Sequence, residues 1–325
     1  MKDLHYLKAC KVMRGLANVL LMMVLLGCNS DKEIFNPDDS GGTGSGNGLS
    51  GENANLEVIV SKKGSLLNSS TWQDGNTLGL FLTQGSIGRP YQSKPDIYNN
   101  VKAYMYAGCW LFESEKVELT DKEAVIFAYA PYMKKADPFA IPVETETYTD
   151  YLYGTHLGTQ TSVDCNSHIA TLEMKHAMSL LDLNVRKVFD FQSKAVLEEI
   201  TIQAANDSLK LPIKGTMDIV NGRITPTGYG MYTLNNLNQE LDSDYTKESS
   251  YRLTMIPREN EDGEILLTIV VNGNRMSMPL HEDHDWRAGV RNVYNIIFDG
   301  KDTRLDRVEI KEWNEVNVEG EIEGR

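Results

Sequence analysis

The sequence lacks the surplus of basic residues that nucleic-acid binding requires. Its 325 residues include 32 Lys and Arg against 46 Asp and Glu, which gives a formal net charge of −14 at pH 7. Phosphate binding depends on clustered Lys and Arg, and electrostatic docking on anionic lipid depends on polybasic segments. The composition therefore excludes nucleic acid as a partner and excludes polybasic docking on a membrane surface.

The sequence also lacks the common catalytic motifs. It has no Gly-x-Ser-x-Gly elbow, no Walker loop and no Cys-x-x-Cys pair. Gly46-x-Gly48-x-x-Gly51 matches the dinucleotide pattern, but it lies in a glycine-rich linker ahead of a strand, where that motif cannot work. The cluster at residues 281–285 (His-Glu-Asp-His-Asp) has neither zinc-protease nor EF-hand spacing, so we interpret it as a loop. We expect no enzyme activity, no cofactor and no bound metal.

Long apolar runs are also missing at the N-terminus. Residues 16–26 are apolar except for Asn18, which is too short for a comfortable transmembrane helix but is typical of an export signal. The first 27 residues have a net charge of +3, so subtracting them from −14 leaves −17 for the rest. Leu-Leu-Gly-Cys at 25–28 resembles a bacterial lipobox, although Cys28 could simply end an ordinary signal peptide. We predict a signal peptide at 1–27, acylation (palmitate) on Cys28 and a lipid anchor in the outer membrane.

Residues 28–53 form a predicted tether. Glycine alternates there with Ser, Asn and Asp, and a flexible coil of this length spans roughly 25–30 Å. Beyond the tether, cysteine is scarce, with Cys109 and Cys165 as the two that remain. Export permits a disulfide between them, but a buried thiol is also common, so their pairing stays open.

Hydrophobic residues in the rest of the chain recur with period two, which is typical of strands. Leu56-x-Val58-x-Val60 alternates, and so do residues 181–185 and 265–271. Residues 293–298 form a further β-rich run, and only residues 189–199 look faintly helical. Many short strands without βαβ alternation predict an all-β fold of antiparallel sandwiches.

Turn signals organise these strands. Asn-Gly at 221–222 and again at 272–273 predicts tight hairpins, and residues 251–280 are interpreted as a three-stranded meander. The length suits two domains. We predict two tandem sandwich domains of transthyretin-like, Greek-key type, at 54–170 and 171–325, behind the signal and the flexible linker.

Seven segments, in order, carry a resemblance to a known family. They are 71–81 (Thr-Trp-Gln-Asp-Gly-Asn-Thr-Leu-Gly-Leu-Phe), 98–101 (Tyr-Asn-Asn-Val), 109–110 (Cys-Trp), 125–132 (Val-Ile-Phe-Ala-Tyr-Ala-Pro-Tyr), 172–181 (Leu-x-Met-x-His-Ala-Met-Ser-x-Leu), 286–296 (Trp-Arg-Ala-Gly-Val-x-x-x-Tyr-x-Ile) and 310–313 (Ile-x-x-Trp). With the lipobox, this set resembles the fimbrillin-like lipoproteins of Bacteroidales, the subunits of type V pili and related surface adhesins. The chain departs from the usual Tyr-Tyr-Pro-Tyr at 129–132.

The resemblance implies assembly by strand exchange with other pilin subunits. In type V pilins a trypsin-like protease removes the first strand, and a strand from a neighbouring subunit fills the groove. Here residues 56–60 would be removed by cleavage at Lys62 or Lys63, with Arg89 as a rival hindered by the following proline. The donor would be the C-terminal strand with Val316, Val318 and Ile322.

Blander interpretations exist for each of these residues. The two lysines could be ordinary loop residues, and the C-terminal strand could be the last internal one. Trp72, Trp110 and Trp313 are most simply core aromatics, and His176 a core histidine.

Three functions therefore compete. The favoured one is a pilus subunit that serves adhesion. The alternatives are a non-polymerising lipoprotein adhesin and a glycan-binding outer-membrane lipoprotein. A sugar platform would need two or three exposed aromatics on one face, so the exposure of Trp110, Trp286 and Trp313 discriminates between these functions. The predicted location is the outer membrane, surface-exposed and lipid-anchored, or the pilus filament after processing. A host or bacterial surface molecule would be the ligand.

Overall fold

The computed structural model describes residues 53–62, 72–92, 98–113, 117–145, 148–206, 208–244, 249–259, 263–280 and 285–314, without the side chains of residues 61, 62, 249 and 250. Every element in these ranges is a β-strand. The all-β prediction is therefore confirmed. No helix in the part of the chain described is long and apolar enough to cross a membrane.

Twenty-one strands are formed by the described residues. They are β1 Ala54–Asn55, β2 Glu57–Lys62, β3 Thr77–Thr83, β4 Val101–Tyr106, β5 Cys109–Phe112, β6 Glu118–Leu119, β7 Val125–Ala130, β8 Ile141–Glu144, β9 Leu152–Thr155, β10 Ile169–His176, β11 Ser179–Lys187, β12 Val196–Ala204, β13 Pro212–Met217, β14 Ile224–Tyr229, β15 Tyr232–Leu234, β16 Gln239–Glu240, β17 Ser249–Met255, β18 Ile265–Val271, β19 Asn274–Pro279, β20 Val290–Phe298 and β21 Thr303–Glu312.

The first half of the chain builds a seven-stranded sheet in the order β2-β10-β9-β7-β3-β4-β5. Its two edge strands, β2 and β5, approach each other, so the sheet curls around its own core. The inner strand β3, between β7 and β4, is buried along its whole length because both of its faces are covered. Leu78, Leu80 and Leu82 enter the core enclosed by the sheet, whereas Phe81 packs on the opposite side.

The second half forms two facing sheets, β17-β11-β20-β21 and a sheet with the order β15-β12-β18-β19 in which β16 also pairs with β12. Leu181, Leu183 and Val185 from the first of these meet Ile200 and Ile269 from the second in one core. This is a sandwich in which alternate residues of each strand point inward.

A third core lies between the two halves. It joins Phe81 and Tyr129 from the seven-stranded sheet to Met178, Met217 and other residues of the second half. A three-stranded sheet, β14-β13-β8, spans the same region and combines β8 with a hairpin from the later part of the chain. The division into domains at 54–170 and 171–325 stays a prediction, and the chain passes from one sheet to the next between β10 and β11.

The strands predicted at residues 56–60, 181–185, 265–271 and 293–298 are present as β2, β11, β18 and β20. The faintly helical segment at 189–199 is instead a turn region followed by the start of β12. Two of the strand pairings are parallel, β2 with β10 and β11 with β20, although antiparallel sheets were expected. Parallel pairs join segments far apart in sequence, so local patterning does not reveal them.

The predicted meander at 251–280 is wrong. β18 and β19 do form a hairpin, but β17 pairs with β11 in the opposite sheet of the sandwich. The loop between β17 and β18 therefore crosses between sheets, because Leu253 and Met255 must face the shared core from the other side.

The two Asn-Gly turns differ. Asn272 and Gly273 both have positive φ, 50° and 76°, as a two-residue hairpin requires. At the other turn only Gly222 does, with φ 73°, and its amide donates to the carbonyl of Asp218 at 2.7 Å across a longer loop. Both Asn-Gly pairs therefore lie in hairpins, as predicted, but the two-residue turn is confirmed at 272–273 alone, because β13 and β14 are joined by the longer loop 218–223.

Candidate functional site

The edge strand β2 is the element whose geometry bears on assembly. Its one ladder partner among the described strands is β10, with Glu57 opposite Ile169 and Lys62 opposite Met174. Leu56, Val58 and Val60 point into the core with at most 9% of their surface exposed. β2 therefore has one hydrogen-bonded neighbouring strand and a row of buried side chains.

The residues just before β2 pair with a different strand. β1 pairs antiparallel with β6, and the Leu56 amide donates to the carbonyl of Val117 at 2.8 Å. One residue later, the Glu57 amide donates to the carbonyl of His168 at 2.9 Å, so the chain changes partner within one residue. Residues 53–62 thus form one continuous strip that closes the seven-stranded sheet.

Aromatic side chains pack near this strip and hydrogen-bond to its neighbour β6. Tyr98 donates its hydroxyl to the carbonyl of Glu118 in β6 at 3.1 Å, and its ring meets that of Tyr91 edge-on at 5.5 Å. Burial raises the pKa of Tyr98, and the nearby charge of Glu118 raises it further. The Tyr98 hydroxyl therefore stays protonated and keeps donating to the β6 backbone.

Loss of β2 would leave a specific surface. The outer edge of β10 would present unpaired N–H and C=O groups, and the seats of Leu56, Val58 and Val60 would form an apolar groove beside it. A free sheet edge next to an apolar groove is a template for an added strand.

The other end of the described chain is anchored at the third core. Trp313 is 2% exposed, its amide donates to the carbonyl of Gly289 at 3.2 Å, and its ring stacks on His176 with centroids 4.0 Å apart. The Nδ1 of His176 lies 2.8 Å from Oδ1 of buried Asp150. These contacts fix the point from which the C-terminal segment departs.

The predicted processing residues lie at different distances from this site. Lys62 is the last residue of β2, and Lys63 follows outside the described residues. Arg89 is exposed in a turn after β3, where its amide donates to the carbonyl of Ser86 at 3.1 Å. Cys28 and the predicted donor residues Val316, Val318 and Ile322 also lie outside the described residues.

Comparison with known proteins identifies the family of this chain. The family model described as fimbrillin-like matches residues 67–313. The chain belongs to the fimbrillin-like family. That family membership suggests a structural rather than a catalytic role.

Solved structures of low sequence identity show the same fold. A proposed cell adhesion protein of Bacteroides ovatus matches with TM-score 0.59 and 13% identity over 81% of this chain and 98% of its own. One from Bacteroides uniformis matches with TM-score 0.58 and 15% identity over 81% and 99%. A fimbrial protein of Bacteroides vulgatus matches with TM-score 0.50 and 14% identity over 80% and 99%. No curated protein matches the sequence.

The tryptophans of this fimbrillin-like chain serve its cores. Trp286 and Trp313 are buried, and Trp110 is partly buried with its ring edge-on to that of Trp72 at 5.2 Å. The Nε1 of Trp286 donates to the hydroxyl of Tyr294 at 3.0 Å. The core interpretation is confirmed, and Trp110, Trp286 and Trp313 do not supply the two or three exposed aromatics that a sugar platform needs.

His176 is likewise a buried core residue, as expected. Its two partners were not foreseen, because Asp150 and Trp313 lie 26 and 137 residues away and no local pattern links them. The alternation of apolar residues predicted that His176 faces inward, but it could not predict which residues His176 contacts.

Among the remaining candidates, Cys165 is buried and free, so Cys109 and Cys165 do not pair with each other. Within the part of the chain described, no group of three or more His, Cys, Asp or Glu could hold a metal ion. Of the predicted loop at 281–285, Asp285 alone lies inside that part.

Proposed function

We propose that this chain is a structural subunit of a surface pilus, exported as a lipoprotein acylated on Cys28 and assembled with other pilin subunits by strand exchange. Membership of the fimbrillin-like family supports a pilus subunit or adhesin at the cell surface. The observation that carries the finer proposal is the position of β2, an edge strand with a buried apolar face directly ahead of two lysines.

Energetics support β2 as a replaceable strand. Full burial of an aliphatic side chain contributes about 1.5–3 kcal/mol, so Leu56, Val58 and Val60 together contribute roughly 4.5–9 kcal/mol before entropy costs. Their removal uncovers that apolar area beside an open ladder. A donor strand with a similar pattern of apolar residues restores both the buried apolar area and the ladder hydrogen bonds, which makes the exchanged assembly durable.

The fold favours Lys62 or Lys63 over Arg89 as the processing site. Cleavage after Lys62 or Lys63 releases β1 and β2 from an edge and leaves the rest of the seven-stranded sheet intact. Cleavage after Arg89 would also detach β3, which is buried throughout and lies between β7 and β4. Loss of an inner strand would open the core, whereas loss of the edge strand β2 opens one groove.

The C-terminal segment supports a donor role by its pattern. Val316, Val318 and Ile322 alternate with polar residues, as Leu56, Val58 and Val60 do in the strand they would replace. The segment begins just beyond Trp313, whose ring stacks on His176, so the point from which it departs is anchored in the fold. Its alternative role as a last internal strand is decided by the experiment below.

The test compares processing variants in the native host. Lys62→Gln combined with Lys63→Gln should leave a lipid-anchored monomer, because the first strand cannot be released. Arg89→Gln is the matched control and should form normal filaments, scored by electron microscopy and by polymer ladders on gels. Deletion of residues 314–325 should give a folded monomer that cannot polymerise. Filaments from the double lysine variant or from the deletion would contradict the proposal, and a wild-type chain that stays lipidated and monomeric would indicate a non-polymerising adhesin.

A further inference from the structure

The outer face of the sheet β17-β11-β20-β21 carries a repeated charge arrangement in which each carboxylate lies between two cations. Asp182 on β11 is 1% exposed and lies between Arg252 of β17, with Nε 3.3 Å from Oδ1, and Arg291 of β20, with Nε 2.6 Å from Oδ2. The strand register puts all three side chains on the face turned away from the sandwich core.

Two more such groups lie along the edge strand β21. Glu309 accepts from Arg307 and from Lys311, each at 2.8 Å. Asp306 lies 3.3 Å from Arg186 of β11 and 3.9 Å from Arg304. The hydrogen bond from Lys311 lowers the pKa of Glu309, so this carboxylate is ionised at neutral pH.

This face is therefore positive on a strongly negative protein. The charged side chains that these four strands direct outward, among the described residues, are six cations and three carboxylates, a net charge of +3. The whole chain carries −14. Such a local excess of cations favours an acidic partner. We call these six cationic residues the basic face: the buried Arg186 and, with side chains 26–64% exposed, Arg252, Arg291, Arg304, Arg307 and Lys311.

The chain supplies an acidic segment at the border of this face. Residues 315–325 contain Glu315, Glu319, Glu321 and Glu323 against Arg325, and the four glutamates share one side of an extended chain because they are spaced by even numbers. The segment follows Trp313, which belongs to the third core together with Leu180, and Leu180 is in the same outward row as Asp182.

The distances suit an intramolecular contact. From β21 to β17 is three strand spacings, about 14 Å. An extended chain covers about 3.3 Å per residue, so five residues beyond Asn314 reach β17 at Glu319. Tethering to the end of β21 also gives the segment a high effective concentration at this face.

We propose that the basic face is a docking surface for the acidic C-terminal segment 315–325 of the same chain. The contact uses the glutamate side of the segment, so Val316, Val318 and Ile322 point away from the face. Electrostatic docking and any later strand donation thus use opposite sides of the segment. The docking proposal stands on charge and position and does not depend on strand exchange.

Carbodiimide cross-linking of the full-length chain tests the contact directly, because it joins an amine only to a touching carboxylate. The variant Arg252→Lys keeps the charge and provides an amine on β17, which is three strands away from β21 in this sheet. The matched control is Arg275→Lys, which replaces another ion-paired arginine on β19, beside core-facing Met276 and therefore on the opposite side of the sandwich. Thermal melts of both variants should match wild type.

The proposal predicts an intramolecular link from the lysine at 252 to Glu319, Glu321 or Glu323, at least fivefold stronger than from the lysine at 275. In 1 M salt the Debye length falls to about 3 Å, so the yield should drop several-fold. Arg304→Gln with Arg307→Gln and Lys311→Gln should lower it similarly. Equal yields at 252 and 275, or yields insensitive to salt and to these substitutions, would overturn the proposal. Links between isotopically labelled and unlabelled chains would overturn it in favour of a second copy's segment.

Discussion

Gly154 in β9 offers a sharp test of the sheet that carries β2. A Cβ built on Gly154 would lie 2.2 Å from the carbonyl oxygen of Glu173 and 2.8 Å from Sδ of Met174, both on the neighbouring strand β10. A contact this close involves backbone, so Gly154→Ala must push β9 and β10 apart by about 1 Å. Because β10 lies between β9 and β2, the same shift disturbs the seat of the first strand.

The expected cost follows from packing. Overfilling a well-packed interior costs typically 1–3 kcal/mol, which exceeds the gain of about 0.4–1 kcal/mol from restricting the unfolded chain. Gly158→Ala is the control, because its nearest neighbour is the carboxylate end of the Glu173 side chain at 3.1 Å, which can move. Urea unfolding should show a lower midpoint for Gly154→Ala and a change within about 0.5 kcal/mol for Gly158→Ala. Equal midpoints for the two variants would refute the close β9–β10 approach.

Three further predictions concern single contacts. Burial lowers the pKa of His156 from its ordinary 6.5, so the folded state favours the neutral ring and the stability of the protein should fall as pH drops below about 6.5. His156→Gln should flatten this decline in thermal melts from pH 7 to 5. An unchanged slope would contradict the role of His156. Trp286→Phe should cost about 1–3 kcal/mol because it removes the hydrogen bond to Tyr294, and a double-mutant cycle with Tyr294→Phe should give a coupling near 1 kcal/mol, not zero. Asn272→Ala should cost at least about 1 kcal/mol in urea unfolding, because Asn272 has a positive φ and its side chain accepts from the Val196 amide and donates to the Lys194 carbonyl; Asn221→Ala, without a positive φ, should cost less, and the reverse order would contradict the turn assignment.

Local pattern predicted the strands well because alternation is a property of each strand by itself. The alternation of Leu56, Val58 and Val60 predicted their buried face without knowledge of the partner strand. Asn272-Gly273 predicted its turn because both residues tolerate positive φ. Pairing between distant strands was out of reach. Nothing near residue 60 indicates that β10, more than 100 residues later, runs parallel to β2, and nothing near Arg252 indicates that β17 joins Asp182.

The candidate site divides in the same way. The sequence indicated a removable first strand followed by lysines, because both features are contiguous. It ranked Arg89 below Lys62 and Lys63 only through the proline that follows Arg89, and it could not show that β3, which cleavage at Arg89 would detach, lies inside the sheet. It also missed the stack of His176 on Trp313, which joins the end of β10 to the root of the C-terminal segment.

Mass spectrometry of the mature N-terminus, on filaments and on the cell-bound fraction of intact cells, tests the central claim most directly. The cell-bound precursor should begin at acylated Cys28, and filament subunits should begin at Lys63 or Gly64, with β1 and β2 gone. Filament subunits that retain residues 28–62, or that begin at Pro90, would contradict the account.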